Sequence, residues 1–261
     1  MQKLKQILLS LFFFRFLLFN IYLVFKKKIK FKNPYYLHYV SNYIFINFHP
    51  VKNISTFFYA YKDFTKNFIP KKNDIILDVG AGLGSEMLIF SKKVGLNGKV
   101  ICLEPDPRLF KVLDCVTEVN KLKNVILYKK AFYNKNNSKL KFSLNPIHNW
   151  MANSLNFPSN AKNYLVSTIT IDKIIKDNKL HVINFAKFNI EGAEKYLISG
   201  NKEFLKKCKN IVVSCHDFLN KKEYQTYQTV KKVLNDNCFK IYNSKSDNNI
   251  LKYFLFATKT N

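Results

Sequence analysis

Residues 75–84 read Ile75-Ile76-Leu77-Asp78-Val79-Gly80-Ala81-Gly82-Leu83-Gly84. The run Ile75–Val79 is apolar except for Asp78, and it opens into three glycines. A short apolar run closed by glycines reads as a buried parallel strand that turns tightly into a helix, here Ser85–Val94. The same grammar repeats outward. Lys99–Leu103 and Asn124–Tyr128 read as strands, with the helix Arg108–Asn120 between them. Val182–Phe188 and Ile211–Cys215 read as two more buried strands, separated by a helical stretch from Ala193 to about Leu205. A helix over Tyr224–Asn235 precedes a closing strand pair, Phe239–Asn243 and Tyr253–Thr258. Strand–helix alternation on this scale implies an α/β fold with a mostly parallel sheet, helices on both faces and ligands at the carboxyl ends of the strands.

The chain has 261 residues, 48% apolar and 16% aromatic, enough for a sizeable core. That excludes a disordered or collagen-like chain. The formal charge is +26, but only Arg15 and Arg108 are arginine, so 43 − 2 = 41 of the basic residues are lysine. Readers of nucleic acid favour the guanidinium fork, which pairs bidentately with phosphate and guanine. A lysine and asparagine excess along the whole chain reads as compositional bias instead. The cysteines, Cys102, Cys115, Cys208, Cys215 and Cys238, are odd in number and form no C-x-x-C pair. They suggest neither a disulfide framework nor a zinc site.

Residues 7–25, ILLSLFFFRFLLFNIYLVF, are 19 residues with one charge, Arg15. At 1.5 Å per residue this length just spans a hydrocarbon core of about 30 Å. Arg15 near its centre costs about 2.5–3.5 kcal/mol on insertion scales. A spanning anchor, a helix lying in the interface and a helix buried on the domain all remain open. Lys26, Lys27, Lys28 and Lys30 follow the run, which would keep the rest of the chain at the cytoplasmic face of a membrane. Residues 1–30 thus read as a hydrophobic membrane-associated helix with basic flanks. Residues 31–70 read as an aromatic-rich extension with a packing helix, and 71–261 as the main domain. In the extension, 31–53 show no clear period. Ile54, Phe57, Phe58, Tyr61, Phe64, Thr65 and Phe68 recur at helical spacing, with Asn53 or Ser55 as a cap and Pro70 as a stop. Residues 145–164, with Pro146, His148, Trp150 and Pro158, show no period and read as a binding loop or a merely solvated one.

Four places carry chemistry. The glycines of Asp78–Gly84 let a ligand approach the backbone, and the acid before them suits an amino group better than a pyrophosphate. Glu104, at the end of the second strand, can accept both hydroxyls of a ribose. In Lys187-Phe188-Asn189-Ile190-Glu191-Gly192-Ala193-Glu194, strand alternation turns Lys187, Asn189 and Glu191 to one side. Glu194 reads equally as an acid favoured by a helix N-terminus. In Cys215-His216-Asp217, His216 is the best general-base candidate, because imidazole titrates near neutral pH. Asp217 either orients it or caps the next helix.

In this order and spacing the four motifs resemble the FkbM family of S-adenosylmethionine-dependent methyltransferases, over about residues 54–217. Ile75–Gly84 looks like its D-x-G-A-x-x-G, Leu103–Pro107 like its E-P-x-P, Ser167–Ile174 like its threonine-leucine-aspartate segment, and Lys187–Glu194 like its K-x-D-x-E-G-x-E. The resemblance implies a Rossmann-like class I methyltransferase fold with a mostly parallel seven-stranded sheet; it does not cover the first 50 residues, where the apolar run alone suggests the hydrophobic N-terminal helix. It implies S-adenosyl-L-methionine as cofactor and methyl transfer to a hydroxyl of a sugar, glycan, glycolipid or natural product. Asp78, Gly80, Ala81, Gly82 and Gly84 would hold the methionine end, Glu104 the ribose, and Ala131 and Phe132 the adenine. His216, with Glu191 and Asn189, would face the acceptor. One departure matters: Asn189 stands where the family has an aspartate. An amide is no base and a poor ligand for a hard cation, so no metal is expected. The rival readings are a binding protein of this fold without turnover, a nucleic-acid methyltransferase favoured by charge alone, and a nicotinamide oxidoreductase.

Overall fold

The computed structural model describes residues 29–143, 163–243 and 248–260. The apolar run 7–25 and most of the expected binding loop, with His148 and Trp150, lie outside the described residues. Among the described residues no helix is long and apolar enough to cross a membrane.

The described residues begin with three antiparallel strands, β1 (Ile29–Lys32), β2 (Tyr35–Val40) and β3 (Tyr43–Asn47). The sequence shows no period here because the buried positions come as adjacent pairs and not at alternate residues. Neighbours Leu37 and His38 are both buried, as are Phe45 and Ile46. Phe45 stacks on Phe57 of α1 (Thr56–Phe64) at 4.6 Å. That helix is shorter than its apolar spacing predicts. It closes at Thr65, whose N–H and hydroxyl both donate to the Tyr61 carbonyl, well before Pro70. Neither expected cap bonds the helix start: Ser55 makes no cap bond, and Asn53 Oδ1 accepts the Ser55 N–H and hydroxyl in a local turn.

The main layer alternates as expected: β4 (Ile75–Val79), α2 (Ser85–Val94), β5 (Lys99–Leu103), α3 (Pro107–Val119), β6 (Val125–Tyr128). A small sheet follows, formed by β7 (Ala131–Phe132), β8 (Lys139–Ser143) and β9 (Asn163–Ile169). Then come α4 (Ile171–Asp177), β10 (Ile183–Phe188), α5 (Lys202–Lys207), β11 (Cys208–Ser214), α6 (Tyr227–Asp236), β12 (Phe239–Asn243) and β13 (Phe254–Lys259). The large sheet has seven strands in the order β12-β13-β11-β10-β4-β5-β6. The strands from β11 through β6 run parallel, and β13 is antiparallel to both β11 and β12.

Alternation along the strands sorts the core into two layers. Leu77, Val79, Ile101, Leu103, Ala186 and Phe188 pack with residues of α4, α5 and α6. Ile76, Val100, Cys102, Phe185 and Val212 pack with α2, α3, α1 and the N-terminal strands. Residues 31–70 therefore share one apolar core with the sheet. The stretch expected to be helical from Ala193 to Leu205 is broken into a 3-10 turn, Ala193–Ile198, and α5. Asn201 explains the break. Its amide donates to the carbonyls of Tyr196 and Ser199, while its Oδ1 accepts the Ile171 N–H, in place of continuous helix bonds.

Candidate active site

The strand order reverses at β4, which has β5 on one side and β10 on the other. In a doubly wound sheet, ligands bind at the carboxyl ends beside such a switch point. The glycine turn Gly80–Gly84 leaves β4 there. Gly80 has φ +82°, and a Cβ on it would lie 2.1 Å from the Asn189 carbonyl oxygen, so the turn and the end of β10 touch backbone to backbone. Among the described residues a Cβ on Gly82 would meet nothing within 4 Å, so the crest of the same turn is open to them.

Asp78 and Lys187 do not face the crevice. They are neighbours across β4 and β10, on the face that packs against α1–α3, and both are buried. Lys187 Nζ lies 2.9 Å from Asp78 Oδ1 and donates to the Gly80 carbonyl at 2.7 Å, with the Phe64 ring 5.1 Å below. Burial alone would lower the ammonium pKa, but Asp78 and then Glu86 raise it above the ordinary lysine value. Asp78 thus holds the turn through Lys187, which lies under the turn. A charge this deeply buried persists only with its partner, which is why the two are paired beneath the glycines.

Glu104 is also buried, at the end of β5. Its Oε2 accepts the Gly82 N–H at 2.8 Å and its Oε1 the Asp106 N–H at 2.9 Å. Burial pushes its pKa up to about 7, against these two donors. The acid thus sits against the open crest of the turn. Ala131 and Phe132 are buried in β7, which pairs with β9, and Phe132 meets Phe188 edge-on at 5.5 Å.

Past β10 the chain leaves strand geometry, so alternation no longer places Glu191. Glu191 has φ +52°, a left-handed conformation that is uncommon for a non-glycine residue. Its Oε2 lies 3.3 Å from His216 Nε2, and Glu194 Oε1 lies 3.1 Å from His216 Nδ1. Burial would lower the imidazole pKa, but Glu194 and then Glu191 outweigh it and push the value up to about 10. Both ring nitrogens of His216 thus face carboxylates, an arrangement that favours the doubly protonated ring. Asp217 is the helix cap, its Oδ2 accepting the N–H groups of Thr226 and Tyr227 at the start of α6. The side chain of Glu191 is 18% exposed and that of Glu194 is wholly buried. Asn189 is half-buried at the tip of β10.

Gly80, Gly82, Glu104, Asn189, Glu191 and His216 all lie at or just past the carboxyl ends of the parallel strands, whereas Ala81 is buried in the core and Gly84 faces Leu113 and Met87. The sequence reading missed the parts played by Lys187 and Glu194. The available signal was the pair of charges flanking Asn189 and Glu191 in one short motif.

Comparison with known proteins gives a family match: the Methyltransferase FkbM domain matches residues 78–250. Among solved structures, the methyltransferase FkbM of Methylobacillus flagellatus KT aligns at 16% identity and TM-score 0.50, covering 74% of this chain and 45% of that one. The chain therefore spans less than half the length of that protein. A SAM dependent methyltransferase from Aquifex aeolicus aligns at 18% identity and TM-score 0.41, over 75% of this chain and 87% of that one. A putative methyltransferase from Streptococcus mutans, solved with SAH, aligns at 13% identity and TM-score 0.48, over 81% and 100%. No curated protein matches this sequence.

Proposed function

The chain belongs to the FkbM methyltransferase family, and from that premise we propose that it transfers a methyl group from S-adenosylmethionine to a hydroxyl oxygen of a sugar, glycan, glycolipid or natural product. The observation that carries the reading is Glu104, a buried acid fixed against the open crest of the glycine turn by the Gly82 and Asp106 N–H groups. Its raised pKa marks a carboxylate short of donors, and two vicinal hydroxyls are what such a group can take up.

The residues fit the donor. The turn Gly80–Gly84 would border its amino-acid end, Glu104 would accept its ribose hydroxyls, and Ala131 and Phe132 would give an apolar wall to the base. When bound, S-adenosylmethionine supplies an electrophilic methyl carbon on a sulfonium. The chain's remaining tasks are alignment and proton removal. In this reading the His216 ring stays protonated between its two carboxylates, and Glu191, the partly exposed one of the pair, accepts the hydroxyl proton. Asn189 has no basicity and contributes its carbonyl to the contact with Gly80. A second reading, a binder without turnover, is favoured by Asn189 in the place of an acid.

Calorimetry with S-adenosylhomocysteine tests the Glu104 assignment. Binding hydroxyl donors favours the ionised acid, so ligand binding at pH 7 is expected to release a fraction of a proton, and affinity is expected to fall as pH drops below 7. Each lost hydrogen bond to a charged group is worth about 1.5–3 kcal/mol, so Glu104→Ala is expected to bind at least about tenfold more weakly, with no proton release. Unchanged affinity in that variant would sink the assignment.

A further inference from the structure

Glu194 is the acid of the motif that no ligand contact explains. It is wholly buried, yet its one carboxylate meets three separate segments. Oε1 accepts the Ile190 N–H at 3.1 Å and faces His216 Nδ1 at 3.1 Å. Oε2 lies 3.5 Å from the Thr226 hydroxyl, just before α6. The turn after β10, the segment after β11 and the start of α6 are thereby tied to one side chain. The charged groups around the imidazole are Glu194 from the 3-10 turn and Glu191 from the turn after β10. Asp217, next in the chain, points to α6 and caps it, and Cys215 is a buried neutral thiol.

We propose that Glu194 is a positioning residue: by holding both the His216 ring and the Ile190 N–H, it presents the Glu191 carboxylate to the acceptor hydroxyl. The tether has two arms. Through Ile190 it fixes the turn in which Glu191 takes its left-handed backbone, a conformation that persists only where its surroundings impose it. Through His216 it keeps a proton on each ring nitrogen, so that Nε2–H can hold Glu191 Oε2. With Glu194 neutralised, the ring keeps one carboxylate instead of two, loses a proton near neutrality, and can donate from only one nitrogen. Glu191 is then tethered less firmly even though it remains an acid.

This inference rests on Glu191 as the proton acceptor, and the experiment separates the two. In the full-length protein, the His216 ring nitrogens are followed by NMR from pH 6 to 9. The wild-type ring is expected to stay doubly protonated to beyond pH 8. In Glu194→Gln its titration is expected to fall by about 1–3 units. Transfer of labelled methyl from S-adenosylmethionine into an envelope-glycan extract is expected to slow at least tenfold, with affinity for S-adenosylhomocysteine unchanged. Glu194→Asp is expected to fall between. A neutral wild-type ring at pH 8 overturns the proposal whether or not the variants fold. So does native transfer with a native pH profile in Glu194→Gln. If Glu191→Gln is slow and Glu194→Gln is not, only this inference fails. If Glu191→Gln transfers at the native rate, the reading of Glu191 fails instead.

Discussion

Replacing Lys187 by methionine is expected to destabilise the fold by about 3–5 kcal/mol, the usual consequence of removing one partner of a buried ion pair. Asp78 is fully buried, and among the described residues neither of its oxygens has a hydrogen-bond partner beyond the Lys187 ion pair. Methionine fills similar space but leaves that carboxylate uncompensated, and the Gly80 carbonyl loses its donor. Urea unfolding measures the loss. The double variant Asp78→Leu with Lys187→Met removes both charges and is expected to recover most of the stability, since a buried pair and an apolar pair of similar volume are often nearly equivalent. It is not expected to recover affinity for S-adenosylhomocysteine, because the Gly80 carbonyl is still unanchored. A single variant as stable as wild type would show that the pair contributes nothing to the turn.

Gly80→Ala is expected to abolish donor binding. The position requires φ +82°, and the new methyl would sit 2.1 Å from the Asn189 carbonyl oxygen, a backbone atom that no rotamer change can move. The left-handed backbone alone disfavours alanine by about 1–2 kcal/mol. Relief of the clash parts β4 from β10 at the point where the turn and the end of β10 meet. Gly82→Ala is the control. Among the described residues its Cβ would meet nothing within 4 Å, so it carries only the backbone penalty and is expected to fold nearly as well as wild type. Calorimetry with S-adenosylhomocysteine and thermal melting on the two variants separate crowding from conformation. Native binding in Gly80→Ala would contradict the geometry of the turn.

The sheet was legible because its signal is local. β4, α2 and β5 have the bounds that their apolar runs and glycines indicate. The N-terminal strands were not, since their buried residues are adjacent pairs, which erases the alternation that marks a half-exposed strand. The neighbourhood of the glycine turn and Glu104 is legible from their spacing after two adjacent strands, and the Gly82 N–H does donate to Glu104. The role of Asp78 is not legible, because its partner Lys187 lies on a strand far along the chain and only the register of β4 with β10 joins them. His216 shows the same limit. A histidine after a strand reads as a base, and nothing in its own surroundings in the sequence says that Glu191 and Glu194 converge on both its nitrogens. The sequence leaves two roles open for Asp217, and its bonds to the Thr226 and Tyr227 N–H groups decide for the helix cap.

The most direct test of the account is to incubate the full-length protein with trideuteromethyl-labelled S-adenosylmethionine and an envelope-glycan extract, then locate the label by mass spectrometry. The account predicts a trideuteromethyl ether on a hydroxyl oxygen, formed by the wild type and lost at least tenfold in Glu191→Gln. Donor binding by calorimetry without any labelled product, or label found on nitrogen or in nucleic acid, would contradict it.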